Sequence, residues 1–284
     1  MGVARLGIVG AGIMGAGIAE CAARAGVDAV LRSRKQETAD ATYAGLERSL
    51  AKQVERGRLE AADRDAALGR VTVTSSVADL EDCDLVIESI VEDIEAKKDL
   101  FVELDRVCQP DAILATNTST LPVIEMAVAT SRPERVCGIH FFNPAPVMSL
   151  VEVVRPLTAS DETIAAARQF AVAVGKEPVE VQDRAGFIVN ALLFPYLNNA
   201  VRMLASGTAS AGDIDTAMKG GCNFPMGPLA LLDLVGLDTA LSILLALHDE
   251  FGDPNYTPVP LLKRMVAAGY LGRKRGRGFF DYSR

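Results

Sequence analysis

At 284 residues, 49% hydrophobic and 23% charged, the chain has the make-up of a compact globular protein with room for two ordinary domains. A net charge of −8 excludes general nucleic-acid binding, and the most apolar run of the C-terminal half, around 186–197, is too short to span a bilayer and holds Asn190 and Pro195. Five scattered cysteines with no CxxC pair, two histidines and no basic leader with a cleavage site in residues 1–15 point to a metal-free cytoplasmic protein with reduced thiols.

In chain order, β-branched runs at 4–10, 28–32, 70–74, 84–89, 112–116, 135–142 and 150–154 alternate with helical patterns, which predicts βαβ units and a doubly wound parallel sheet. The first run leads into VGAGIMGAG. There Gly10 permits a tight turn, Gly12 lets a diphosphate approach the backbone, and Gly15 lets the helix pack on the strand. With Ile13 and Met14 opening the helix, its unpaired N–H groups face that diphosphate, so the turn is read as a dinucleotide site.

The second strand normally ends in an acid that holds the adenosine ribose, and here Ser33 stands there. Arg32, Arg34 and Lys35 surround it, donors suited to a 2′-phosphate, so the expected cofactor is NADP(H). The alternative is a solvated basic turn that tolerates NAD(H). Residues 36–69, broken near Gly57, predict two antiparallel helices projecting from the sheet as a second wall for a ligand.

Further on, Asn117 and Ser119 follow the end of a strand, although STLP could equally cap the next helix. His140 ends an apolar strand on the ligand side of such a sheet, and an imidazole can give and take the proton that hydride transfer to a ketone requires. Glu152 lies mid-strand, where a lone acid is expensive to bury; pairing with His140 removes that cost and fixes the tautomer. The alternative is the exposed face of an edge strand. His248 reads as a helix-end residue.

Strand patterns stop near Asp183, dividing a Rossmann-type domain, 1–183, from an all-α domain, 184–284. The second opens on a helix apolar nearly all round at first, bent at Pro195 and ended by Gly207. Asn190 in its first turns needs a polar partner, and a substrate carbonyl would serve.

The stretches GAGIMGAGIAE, CDLVIESIVEDIEAKKDLF, LATNTSTLP, HFFNPAPVMSLVEVV, GFIVNALL, FPMGPLALLDLVGLD and LGRKRGRGFFDYS together resemble the 3-hydroxyacyl-CoA dehydrogenases, most closely the bacterial short-chain 3-hydroxybutyryl-CoA members, over essentially the whole length. The resemblance implies His140 as acid/base, Glu152 as its carboxylate partner, and Ser119 and Asn190 on the substrate carbonyl. It also implies Glu92, Lys97, Asn117, Asn143 and Lys274 around the cofactor, and Ser49, Lys52 and Arg56 on coenzyme A. The implied reaction is reversible hydride transfer between nicotinamide and C3 of acetoacetyl-CoA. A homodimer through the C-terminal helical domain is also expected. Where this chain reads Arg32-Ser33 the family commonly reads Arg-Asp, a departure that falls on the cofactor-selecting residue. The alternatives are an NAD-dependent enzyme of broader chain length, a hydroxy-acid reductase that does not use coenzyme A, and a non-catalytic nucleotide-binding relative.

Overall fold

Strands and helices alternate through the first two-thirds of the chain. The computed structural model describes residues 2–283. In order these are β1 (Arg5–Val9), α1 (Ile13–Arg24), β2 (Asp28–Arg32), α2 (Gln36–Glu55), α3 (Ala61–Leu68), β3 (Val71–Thr74), β4 (Leu85–Glu88), α4 (Ile94–Val107), β5 (Ile113–Thr116), α5 (Val123–Ala127), β6 (Val136–Phe141), β7 (Leu150–Arg155), α6 (Asp161–Ala173) and β8 (Glu177–Gln182). Among the described residues they form one eight-stranded sheet, ordered β3-β2-β1-β4-β5-β6-β7-β8. The apolar runs of β1, β4, β5 and β6 fill its centre, as strands covered on both faces must.

The sheet is parallel through β6, and then β7 runs antiparallel to β6, carrying β8 with it. An all-parallel reading fails here because the connection 142–149 is too short for a crossover helix. The register of this pair is tight at Gly138, which lies opposite Val154; a Cβ there would come within 2.6 Å of the valine Cβ. β8 is not evident from sequence, because Pro178 argues against a strand and Glu177, Glu180 and half-exposed Val179 lack a buried face. Its edge position accounts for both features.

The two helices expected to project instead lie against the sheet's own layer: α3 packs on α1, and α2 packs on α3 and β3. Leu46, Leu50 and Ala67 join Ile18 and Ala22 of α1 in the main core. Carboxylates hold several chain segments by accepting consecutive backbone N–H groups. Asp84 takes Ala4 and Arg5 at 2.8 and 2.9 Å, and Asp183 takes Val123 and Ile124 at 3.0 and 2.7 Å, satisfying donors at the start of α5.

The chain divides into two compact units, one running to Arg184 and the other from Ala185 onward. The second is helical: α7 (Val189–Ala205), α8 (Ala211–Cys222), α9 (Pro228–Val235), α10 (Leu237–Phe251) and α11 (Pro260–Ala267). Its core joins Phe194, Leu197 and Val201 of α7 to Leu229, Leu232, Leu244 and Leu262. α7 is not buried all round, since Leu192 is 72% exposed, and it ends at Gly207, whose φ of 73° is the left-handed conformation of a helix terminus. Asn198, buried on α7, donates to the Thr257 carbonyl at 2.9 Å and accepts the Val259 N–H at 3.0 Å. Asp233, buried in α9, accepts the Phe279 and Phe280 N–H groups, each at 2.9 Å, which fastens the last segment of the chain. No single described helix is long and apolar enough to cross a membrane.

Candidate active site

The glycine turn lies between β1 and α1. Gly10 has φ 121°, and a Cβ on it would collide with the Ser89 carbonyl; at Gly15 a Cβ would strike the Gly10 carbonyl. At Gly12 a Cβ would meet nothing within 4 Å, so the backbone there is open to a ligand. The first turn of α1 carries no acid, leaving its positive end unopposed. Ile13 is exposed and Met14 half-buried beside the core.

From this turn a cleft of about 900 Å³ runs along the C-terminal ends of β1, β2 and β4. Gly10, Ala11, Gly12, Arg32, Ser33, Arg34, Lys35 and Thr38 line one part of it, and Ser89, Ile90, Val91, Ala96, Asp99 and Glu103 another. Backbone bonds fix the basic loop: the Arg32 carbonyl accepts the Gly10 N–H at 3.0 Å, and the Ser33 N–H donates to the Thr74 carbonyl at 2.9 Å. Arg34 and Lys35 are exposed and Ser33 half-buried, so their side-chain donors are open to an anionic ligand. The carboxylates of Asp99 and Glu103 on this wall carry no sequence signal, being ordinary acids on a helix face.

His140 and Glu152 lie directly opposite one another in the β6–β7 ladder, with Nδ1 2.8 Å from Oε2. Both are buried, at 4% and 0% exposure, so Glu152 is on an interior strand and not on an exposed edge. Glu152 as a carboxylate accepts the Nδ1–H, which leaves Nε2 as the acceptor of the neutral ring. Ser119 Oγ stands 3.0 Å from that Nε2, and the Phe142 ring lies beside the imidazole at 4.5 Å between centroids. Asn117 accepts the Phe141 N–H at 2.8 Å, tying the loop after β5 to the strand of the histidine.

Glu92 and Lys97 occupy unexpected surroundings. Lys97 is 1% exposed and bridges Glu88 Oε1 at 2.6 Å and Glu92 Oε2 at 3.3 Å. Glu92 Oε1 accepts the Thr118 hydroxyl at 2.5 Å and the Ser119 and Thr120 N–H groups at 3.0 and 3.3 Å. Burial alone would raise the Glu92 carboxyl, but the Lys97 ammonium, the Thr118 hydroxyl and the Ser119 N–H outweigh it, so the carboxyl lies below the ordinary range. Glu88 went unnoticed in sequence; the available signal was an acid closing the apolar run DLVIES.

Asn143 is exposed, joined to Pro144 by a cis peptide, in the loop that follows His140. That loop is clasped by buried Lys176, whose ammonium donates to the Ala145 and Met148 carbonyls at 2.6 and 2.8 Å. Ala145 rests on α1 at Gly17, where a Cβ would come within 3.0 Å of its own. On α2, exposed Ser49 donates to buried Glu20 at 3.3 Å; Lys52 is exposed farther along, and Arg56 is exposed just past the end of the helix. Asn190 and Lys274 belong to the second unit: Asn190 is buried in the first turn of α7, and Lys274 donates to both oxygens of Asp238, at 2.6 and 2.7 Å.

Comparisons with known proteins identify the family. Residues 5–184 match the family model for the 3-hydroxyacyl-CoA dehydrogenase NAD binding domain, and residues 186–282 match the model for the C-terminal domain of the same enzymes. A 3-hydroxybutyryl-CoA dehydrogenase of Mycobacterium tuberculosis is 49% identical over 282 residues, covering 99% of both chains. The human mitochondrial hydroxyacyl-coenzyme A dehydrogenase is 42% identical, covering 97% of this chain and 90% of its own. The crystal structure of FadB2 from M. tuberculosis superposes with a TM-score of 0.98 at 48% identity over the whole of both chains. That of (S)-3-hydroxybutyryl-CoA dehydrogenase PaaH1 from Ralstonia eutropha gives 0.96 at 42% identity, covering 99% of this chain and 100% of the other. The chain therefore belongs to the 3-hydroxyacyl-CoA dehydrogenase family of oxidoreductases.

Proposed function

We propose that the protein is an NADP(H)-preferring (3S)-3-hydroxybutyryl-CoA dehydrogenase, interconverting acetoacetyl-CoA and 3-hydroxybutyryl-CoA. The observation that carries the chemistry is the line Ser119 Oγ, His140 Nε2, His140 Nδ1, Glu152 Oε2, with separations of 3.0 Å across the first pair and 2.8 Å across the last. A nicotinamide dinucleotide, when bound at the glycine turn, supplies or accepts the hydride. For reduction, protonated His140 gives its Nε2 proton to the substrate oxygen, and Glu152 stabilises the imidazolium before that transfer. For oxidation, neutral His140 takes the hydroxyl proton at the same nitrogen. Ser119 Oγ–H donates to the substrate oxygen and orients it toward Nε2. Ser49 and Lys52 on α2 and Arg56 just past its end are assigned to the coenzyme A portion, the lysine and arginine meeting its phosphates.

The preference for NADP(H) rests on the β2 end of the cleft, where Ser33 replaces an acid among Arg32, Arg34 and Lys35. A 2′-phosphate there meets a hydroxyl and cations instead of a repelling carboxylate. NAD(H) is the second reading, favoured by the match to an NAD binding domain. Steady-state oxidation of NADPH and NADH with acetoacetyl-CoA, at matched concentrations, decides between them. Faster NADPH turnover supports the proposal, and faster NADH turnover removes the phosphate account while keeping the enzyme. Turnover of free hydroxy acids with none of the thioester would favour the reductase that does not use coenzyme A, and nucleotide binding without any turnover the non-catalytic relative.

A homodimer through the helical unit and a cytoplasmic site of action belong to the same proposal. Leu192, Met203, Leu234 and Leu245 are exposed apolar side chains of that unit, and the five cysteines are all free. Light scattering of the purified protein tests the dimer.

A further inference from the structure

Besides Glu152, the most deeply buried charges of the first unit are Glu88 and Lys97, and they converge on the loop that carries Ser119. Glu88, at the end of β4, is fully buried and Lys97 nearly so, and their side chains meet at 2.6 Å. Burying both ions is expensive, and an apolar pair of the same shape would serve stability as well or better, so their presence calls for a geometric reason. The sheet does not supply one, because β4 and β5 are already joined by their own backbone ladder.

The bonds themselves supply it. Glu88 Oε2 accepts the Thr116 hydroxyl at 2.7 Å, and the Thr116 oxygen in turn accepts the Thr118 N–H at 3.1 Å. The Glu88 carbonyl accepts the Asn117 N–H at 2.8 Å. Glu88 Oε1 holds Lys97, which holds Glu92, which gathers the Thr118 hydroxyl and the N–H groups of Ser119 and Thr120. Two branches thus leave one carboxylate and close on consecutive residues, 116–120, while Oε1 also accepts the Ile90 N–H at 2.6 Å at the wall of the cleft. The Ser119 N–H is spent on Glu92, so its hydroxyl is the group left facing His140 Nε2.

We propose that Glu88 is a positioning residue for Ser119: through Thr116 on one branch, and Lys97 and Glu92 on the other, it fixes the 116–120 loop so that the serine hydroxyl is held on His140 Nε2. The role is distinct from cofactor contact, since Glu88 is enclosed by protein. It predicts that substitutions at Glu88 act on turnover by way of Ser119. The inference rests on the reading of His140 as the proton-transferring group, which turnover of acetoacetyl-CoA by His140→Ala tests separately.

The test is a double-mutant cycle of Glu88→Gln with Ser119→Ala, reading kcat, KM and the dissociation constant of the reduced cofactor by fluorescence. Glutamine keeps the shape of the side chain but cannot accept from both Lys97 and Thr116 as an anion does. In the Ser119 background Glu88→Gln is expected to lower kcat about ten- to a hundredfold, the scale of a displaced catalytic group. In the Ser119→Ala background the same change should cost less than about twofold, because the group it positions is already gone. Any change in cofactor affinity is expected to be equal in the two backgrounds, because the Glu88 bond to the Ile90 N–H does not pass through Ser119. Equal fold losses in both backgrounds, or no loss in either, overturn the proposal. If Glu88→Gln does not fold, Thr116→Val leaves the buried ion pair intact while removing the hydroxyl that links Glu88 to the Thr118 N–H, and the same cycle is read with the same outcomes.

Discussion

His140 and Glu152 face each other across two neighbouring antiparallel strands, so the acid/base group and its carboxylate are cross-strand partners within one sheet. A pair built this way is held by the ladder itself, and side-chain truncation removes the chemistry without removing the frame. Glu152→Gln, which keeps the hydrogen bond but not the charge, is expected to lower kcat about 10²–10⁴-fold, with His140→Ala falling at least as far. Cofactor binding by fluorescence titration should be unchanged in both. Near-normal turnover in either variant would remove that residue from the mechanism.

Cofactor choice is expected to turn on one side chain. Ser33→Asp puts a carboxylate at the mouth of the cleft beside Arg32 and Arg34. The ratio of kcat/KM for NADPH to that for NADH should fall by about tenfold or more, through repulsion of the 2′-phosphate and a new acceptor for the ribose hydroxyls. A ratio unmoved by the substitution would mean that this loop does not read the phosphate.

Acid should loosen the loop of Ser119 through Glu92. Because the folded-state value of this carboxyl lies below the ordinary 4.5, its contribution to stability is complete above that value and is lost as pH falls through the lowered one. The melting temperature of Glu92→Gln is therefore expected to lie below that of the wild type at neutral pH, with the gap closing as the pH is taken down below the ordinary 4.5 and through the lowered value. A gap of constant width across that range would show that the charge of Glu92 is not what holds the loop.

Thiol chemistry separates one cysteine from four. Burial pushes the Cys21 and Cys83 thiols up to about 11 and those of Cys108 and Cys137 to about 12, while Cys222 is exposed. At pH 8 a thiol-specific reagent is expected to modify Cys222 rapidly and the other four only after denaturation, as mass spectrometry of the labelled chain can follow. Fast labelling at Cys21 or Cys137 in the native protein would contradict the packing described around them.

The parts of this molecule legible in its sequence are those where one residue has one compatible setting. Gly10, Gly12 and Gly15 differ in what a Cβ would meet, and each does what its place in the turn demands. An acid in the middle of VEVV asks for a partner, and His140, twelve positions earlier at the end of an apolar strand, provides one. Less legible are features settled by neighbours distant in the chain. β8 has the composition of a loop and becomes a strand because β7 offers it an edge. The helical pair 36–68 carries enough charge to stand in solvent, and its few apolar positions, Leu46, Leu50 and Ala67, prove sufficient to seat it on α1. Glu88 and Lys97 lie nine positions apart across a loop, and no local pattern announces that they meet.

The absence of a side chain at Gly138 bears on the chemistry two residues away. A strand that slips by one residue turns every side chain to the opposite face, and such a slip of β7 would leave His140 facing a valine while Glu152 pointed to the far side of the sheet. Val154 is seated over the bare backbone of Gly138 in the same ladder that sets His140 opposite Glu152. A methyl group added at Gly138 would therefore tax alignment before packing: the dyad would be lost by misreading the ladder, with both of its members still present and intact.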